Sequence, residues 1–246
     1  MPTIAHAILG GAIALLFHTI TLKWNTKKKF TERMVILFSF NSMIGPDIFT
    51  MLYAFGLDPT LIPIKPFVHS ILGWPIWCLG IMWIWYYVVN LRSTEQTRLS
   101  KKSTLLLLIA AGEMHFFLDF LDYGVWLIGY GDWTILLTLQ DHFFIGMAYP
   151  YGPLHEMMPW FSMTEMFAIG LAFMILMIYS LFRWELKYTY LIAIIFLGVI
   201  LICYVLFGSY VVGYENDFGI ILYFGIFFII PLILMILAME ERGIPV

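Results

Sequence analysis

Seven long apolar runs constrain the fold of this sequence more than any other feature. They cover about residues 3–22, 33–55, 67–91, 103–127, 163–182, 188–208 and 218–238. A helix rises about 1.5 Å per residue, so each run is long enough to cross a hydrocarbon core of about 30 Å. Hydrophobic residues make up 62% of the 246 residues and charged residues 12%, which is more apolar material than a soluble domain buries. The sequence therefore predicts an all-α fold, a polytopic membrane helix bundle of about seven transmembrane helices in the plasma membrane.

The basic residues predict how this bundle is oriented, because cytoplasmic loops of membrane proteins are rich in Lys and Arg. Twelve of the 13 basic residues fall in the first, third and fifth connections and in the C-terminal tail. Lys65 alone falls on the opposite side. We therefore expect the N-terminus to face the outside and the C-terminus to face the cytoplasm.

The chain is expected to form a single integral-membrane domain over residues 1–246. Within it, residues 1–127 hold the motifs described below, residues 128–162 form an outer loop that caps the bundle, and residues 163–246 add supporting helices. The partner predicted from this composition is the lipid bilayer, with a lipid-like substrate. No nucleic-acid partner is expected.

The fourth run carries ionisable residues that a lipid environment disfavours. Within LLLLIAAGEMHFFLDFLDYGV, residues 105–125, stand Glu113, His115, Asp119 and Asp122. The last three are spaced i, i+4 and i+7, and this spacing places them on one face of a helix. Imidazole nitrogens and carboxylate oxygens both ligate zinc, and a divalent cation would offset the cost of an unpaired carboxylate in lipid. The spacing therefore predicts half of a metal site that opens to the outside, with a divalent metal, zinc first among the candidates; a hydrogen-bonded pair that joins two helices is the alternative.

Further candidate ligands share a position toward the outer side of the bundle; in chain order they are His6, Asp47, His69, His142 and His155. Pro46 is expected to bend the second helix and so to aim Asp47 into the bundle. By helix rise, His6 is expected to stand about 10 Å further out than His115. Tilt, a kink or two separate metals would reconcile their depths.

At these residues the chain resembles the membrane-bound metal-dependent hydrolases called YdjM-like. The matching segments are AHAILG with His6, GPDIF with Asp47, FVHSIL with His69, and MHFFLDFLDYGV with His115 and Asp119. They occur in the family's order over about the first half of the chain, and the helices after residue 162 fall outside the resemblance. The resemblance implies metal-assisted hydrolysis, with phosphoesters as the substrate class by analogy with zinc phospholipases, and with these five side chains holding the metal. The position of the site at the outer lipid boundary favours a lipid headgroup as the substrate.

Two positions depart from the family's pattern. Phe49 stands where the family has a second acid, and Ile64 stands where the family has the first residue of a His-Arg-Gly segment. Replacement ligands are available in the outer loop, namely His142, His155 and Glu156. Asp122 or Glu156 would serve as the general base. A lower metal count and a loss of activity are the alternatives.

Two other functions are compatible with the same composition. Acids at membrane depth also mark the ion pathways of transporters and channels, and seven helices with an outside N-terminus suit a receptor or a non-catalytic assembly factor. The acids gather on one side instead of forming a path across, which favours the hydrolase. Seven-helix zinc amidases have a similar architecture, but they need a His-x-x-x-His pair in the last helix. Residues 218–238 contain no histidine, which argues against this class.

Overall fold

The computed structural model describes residues 3–24, 26–49, 64–122, 163–207 and 228–241, and these residues are mostly α-helical. In chain order the elements are α1 (Thr3–Lys23), β1 (Lys28–Lys29), α2 (Glu32–Ile44), α3 (Lys65–Val68), α4 (Gly73–Val89), α5 (Lys101–Asp122), α6 (Met163–Arg183), α7 (Leu186–Phe207), α8 (Ile230–Ala238) and β2 (Glu240–Glu241). The predicted all-α class is therefore confirmed.

Helices α1 and α5 organise the core of the bundle. α1 packs against α2, α6 and α7, while α5 packs against α2, α4 and α8. Ala7, Ala12 and Ala14 of α1 are fully buried, and such small side chains let neighbouring helices approach closely. The two helices that carry the predicted ligands His6, His115 and Asp119 therefore lie in the interior.

The second helix is shorter than its apolar run predicts. α2 ends at Ile44, and residues 45–49 form a turn. Pro46 has no N–H with which to continue the helical hydrogen-bond ladder, and its ring disfavours a preceding helical turn. The predicted bend at Pro46 is therefore wrong, because the helix ends there, and Asp47 lies in a turn instead of a helix. The remainder of the run, from residue 50 to 55, lies outside the described residues.

The third apolar run, predicted as one helix over 67–91, is interrupted. α3 ends at Val68 and α4 begins at Gly73, so His69 lies in the break between them and does not open a helix as predicted. The Ser70 hydroxyl donates to the Phe67 carbonyl at 2.6 Å and accepts from the Gly73 N–H at 3.1 Å. These bonds satisfy backbone groups that the break leaves without helical partners.

The connections with the predicted cytoplasmic location meet at one end of the bundle. β1 pairs antiparallel with β2 and sets two lysines opposite two glutamates. Ser100, just before α5, donates its N–H to Glu240 Oε1 at 2.7 Å. Arg33, near the start of α2, donates to the carbonyls of Val89 and Leu91 at the end of α4. The chain segments around α1, α2, α4, α5 and α8 are thus joined at this end, which we call the basic end.

Among the described residues, one helix is long and apolar enough to cross a membrane, over His6–Lys23 of α1. Gly73–Val89 and Ala168–Arg183 form shorter apolar helices. A bundle of about seven spanning helices therefore stays a prediction.

Candidate metal centre

Four separate segments bring three histidines and two aspartates together at the end of the bundle opposite the basic end. The members of this His/Asp cluster are His6 of α1, Asp47 of the turn after α2, His69 of the break before α4, and His115 and Asp119 of α5. All five are predicted ligands. Two overlapping groups of three have ligand atoms within 4.8 Å of one another: His6, His115 and Asp119, and Asp47, His69 and His115.

Asp119 is the centre of the cluster, because each of its oxygens faces an imidazole. Its Oδ2 lies 3.0 Å from His69 Nε2 and 3.1 Å from His115 Nε2, and its Oδ1 lies 3.3 Å from His6 Nε2. The contact between His115 and Asp119 spans one helical turn, as their spacing predicts. Asp47 adds its Oδ1 at 3.4 Å from His69 Nε2 and its Oδ2 at 3.6 Å from His115 Nε2.

These N···O separations suit neighbouring ligands that share an ion. Zinc ligands at about 2.0–2.1 Å in a tetrahedron lie about 3.3 Å from each other, and the distances from the histidine Nε2 atoms to the aspartate oxygens run from 3.0 to 3.6 Å. His6 Nε2 and His115 Nε2 are buried and make no hydrogen bond with the described residues, although each lies within 3.3 Å of a carboxylate oxygen. Imidazole nitrogens and carboxylate oxygens held this close can share a metal ion.

The charge of the cluster also favours a divalent cation. Four of the five side chains are at most 1% exposed, and His69 retains 12%. With the three imidazoles neutral, as metal ligation requires, the two carboxylates leave two negative charges that one divalent cation would balance. Buried charges without compensation are strongly unfavourable. The residues present therefore fit a metal ion, and His69 is the most exposed member of the cluster.

The orientation of His115 is set by the backbone of α2. Its Nδ1 lies 2.9 Å from the carbonyl oxygen of Ser42, which accepts a hydrogen bond only if Nδ1 carries the proton. Nε2 is then the nitrogen with the free lone pair, and it faces Asp119. A hydrogen bond on the second ring nitrogen is the usual way in which a ligating histidine is oriented. Residue chemistry alone does not reveal Ser42, because a main-chain atom makes the contact.

His6 and His115 lie at the same depth, in contrast to the predicted offset of about 10 Å. Their rings are stacked with centroids 3.8 Å apart and an interplanar angle of 29°. Measured from the basic end, His6 stands 17 residues before Lys23 and His115 stands 14 residues after Lys101. The difference of three residues corresponds to about 4.5 Å, which helix tilt accommodates. The predicted difference in depth was too large because each helix end had been assigned from hydropathy.

The other predicted site residues fall where the structure does not describe side chains. Asp122 is the last residue of α5, and its side chain is outside the described set. His142, His155 and Glu156 lie within residues 123–162, which are also outside it. Their assignments as ligands or general base stay predictions.

Two buried ionisable residues near the same helices do not join the cluster. His18 of α1 bonds through Nδ1 to the Phe30 carbonyl at 2.6 Å, close to the basic end. Glu113 is buried, and it belongs to neither group of candidate ligands among the described residues. Phe49 packs against Trp77 with ring centroids 6.0 Å apart.

Compared with family models, with curated proteins and with solved structures, the chain matches none of them. The chemistry of the His/Asp cluster is therefore the main guide to function.

Proposed function

We propose that this chain is an integral-membrane, metal-dependent hydrolase of the plasma membrane that cleaves a phosphoester or another bond of a lipid headgroup at the outer face. The observation that carries the proposal is the buried convergence of three imidazoles and two carboxylates from four segments. The choice of hydrolysis rests on the resemblance to the YdjM-like hydrolases at these same five residues.

In this proposal each part of the cluster has a chemical task. The three imidazoles and two carboxylates would hold the cation, with Asp119 contacting all three histidines. A divalent cation, when bound, polarises a phosphoryl oxygen and makes water more acidic. Asp122 or Glu156 would accept the proton of the attacking water. His69, the most exposed member, would face the incoming substrate.

The surface of the bundle supports placement in lipid. Along α4 the exposed side chains are large and apolar: Ile76, Leu79, Trp83, Ile84, Tyr87 and Val88. Apolar side chains are exposed on α6, α7 and α8 as well, and residues 191–207 of α7 contain no charged or strongly polar residue. Apolar surface of this extent is unfavourable in water and favourable against acyl chains.

The two ends of the bundle support the proposed orientation. The basic end carries most of the lysines and arginines of the described residues, and such ends face the cytoplasm. The His/Asp cluster lies at the opposite end of α1 and α5. The cluster would therefore meet headgroups of the outer leaflet.

The first test is the metal content of the detergent-purified protein, measured by elemental mass spectrometry. We expect stoichiometric divalent metal in the wild type and its loss in His69→Gln and His115→Gln, because each variant removes a nitrogen within 3.1 Å of Asp119. His18→Gln is the matched control, since His18 is a buried histidine outside the cluster and should leave the metal content unchanged. Absence of metal from wild type purified without chelator would refute the metal centre.

The second test is hydrolysis by the metal-loaded protein. Phospholipids and isoprenoid phosphates in mixed micelles would be assayed for release of headgroup or phosphate, before and after chelation and after zinc is restored. We expect release that needs metal and is lost in His115→Gln but kept in His18→Gln. Stoichiometric metal without any hydrolysis would count against the enzyme and favour a transport or assembly role for the cluster.

A further inference from the structure

A contact between α1 and α2 lies directly behind the His/Asp cluster. Gly10 of α1 faces Ser42 of α2: a Cβ added at Gly10 would lie 2.3 Å from Ser42 Oγ and 2.5 Å from Ser42 Cβ. The same Ser42 presents its carbonyl oxygen to His115 Nδ1 at 2.9 Å. The contact between the two helices and the hydrogen bond that orients His115 therefore meet at one residue.

Gly10 also stands one helical turn after His6. Residues at i and i+4 lie on the same face of a helix, so α1 uses one face both to present His6 to Asp119 and to receive α2. His6 Nε2 lies 3.3 Å from Asp119 Oδ1, and its ring stacks on His115. The distance between α1 and α2 thus affects two ligands at once.

We infer that Gly10 and the Ser42 carbonyl are positioning residues for the metal centre, an inference that rests on the proposed function. Gly10 lets α2 approach closely enough for the Ser42 carbonyl to hold His115 with Nε2 directed at the cluster. A methyl group at position 10 would push Ser42 away, because ordinary contact begins at 3.4 Å. If the Ser42 carbonyl moved about 1 Å away from His115, the N···O distance of 2.9 Å would exceed the upper limit of about 3.2 Å for a normal N–H···O bond.

The adjacent glycine provides a matched control. A Cβ at Gly11 would meet the terminal Cε of Met177 at 2.3 Å and its Sδ at 2.8 Å. These atoms end a flexible side chain that has other rotamers available, so Gly11→Ala is expected to be accommodated without movement of a backbone. Both variants make the same chemical change at neighbouring positions of one helix, and only one of them presses on Ser42.

The test is Zn²⁺ affinity of the full-length protein in detergent, measured by competition with a chelating indicator. Gly10→Ala is expected to bind Zn²⁺ about 10- to 100-fold more weakly than the wild type, the usual effect of removing the hydrogen bond behind a ligating histidine. Gly11→Ala is expected to bind as the wild type does, because its added methyl group meets only the end of Met177. The double variant Gly10→Ala/Ser42→Gly removes the clashing Oγ and Cβ and is expected to restore affinity.

A spectroscopic measurement separates positioning of the ligand from general loosening of the bundle. With saturating Co²⁺, Gly10→Ala is expected to show a ligand-field spectrum different from that of the wild type, while Gly11→Ala and the double variant match it. If Gly10→Ala does not fold, the double variant decides, because wild-type affinity and spectrum in that protein support the inference and weak binding overturns it. Wild-type affinity in Gly10→Ala also overturns it. Failure of the wild type to bind Zn²⁺ would instead overturn the proposed function.

Discussion

At the scale of single residues, Asp119 has the largest influence on the cluster. It is fully buried and lies within 3.3 Å of the nitrogens of His6, His69 and His115. Asp119→Asn keeps the shape of the side chain but removes the negative charge and replaces one candidate ligand oxygen with an NH₂ group. The substitution thus separates the role of Asp119 as a ligand from its role in packing.

We expect Asp119→Asn to weaken Zn²⁺ binding by about 100-fold or more. Changing a residue that only orients a ligand usually weakens binding by about 10- to 100-fold, and the loss of a ligand should be larger. In the presence of chelator its thermal stability should stay close to that of the wild type, because the amide donates hydrogen bonds that neutral imidazoles accept. Calorimetric titration and thermal unfolding in detergent measure the two effects. Glu32→Gln, at an exposed acid near the basic end, is the control, and unchanged Zn²⁺ affinity in Asp119→Asn would contradict the assignment.

The five members of the His/Asp cluster were predictable from the sequence as candidate ligands, but their arrangement was not. His115 and Asp119 are one turn apart, so a local rule was enough to pair them. His6, Asp47 and His69 reach them only through packing of distant segments, which no local spacing encodes. The Ser42 carbonyl had no signal of its own, because every residue has a carbonyl and only the position of α2 brings this one to His115.

At the scale of secondary-structure elements, Trp74 joins α4 to both α2 and α5. Its side chain is fully buried, and its Nε1 donates to the Leu108 carbonyl at 2.9 Å. The ring lies against two glycines, since an added Cβ would come within 2.7 Å of it at Gly45 and within 1.9 Å at Gly112. The indole therefore occupies space that exists only because both positions lack a side chain.

Gly112→Ala is expected to destabilise the protein by about 1–3 kcal/mol, the usual cost of overpacking a close contact. Gly80→Ala is the control, because nothing lies within 4 Å of an added Cβ there and alanine favours a helix by up to about 1 kcal/mol. Unfolding by denaturant in detergent, followed by tryptophan fluorescence, measures both variants. Equal stability of the two proteins would show that Trp74 does not depend on the gap at Gly112.

Hydropathy predicted where apolar helices lie but not where two of them stop. α1 and α6 begin and end within about one residue of their predicted runs. In contrast, α2 ends before Pro46 and the third run breaks at His69–Leu72. Transfer free energy does not distinguish a helix from an apolar turn, and Ile71 and Leu72 are as apolar as their helical neighbours. The local signals were Gly45-Pro46 and the Ser70-x-x-Gly73 pattern, and these breaks are what place Asp47 and His69 beside α5.

At the scale of the whole molecule, the protein has two chemically different ends. The basic end pairs Lys28 with Glu241 and Lys29 with Glu240 across β1 and β2. The other end holds the His/Asp cluster, and the exposed sides of α4, α6 and α8 between them are rich in large apolar side chains. Because charge bias predicts the basic end to be cytoplasmic, the location of this one end determines on which side of the membrane the proposed chemistry takes place.

Cysteine labelling in intact cells tests that location directly. In a background with Cys78→Ala and Cys203→Ala, single cysteines would be introduced as Lys28→Cys and Glu95→Cys near the basic end and as Ile64→Cys near the cluster, all at exposed positions. An impermeant maleimide is expected to label Ile64→Cys in intact cells and the other two only after the membrane is permeabilised. The reverse pattern would place the cluster in the cytoplasm, where inner-leaflet or soluble phosphoesters become the substrates to assay. Labelling of all three in intact cells would contradict a membrane-spanning arrangement, and the apolar sides of α4 and α8 would then need a protein partner to cover them.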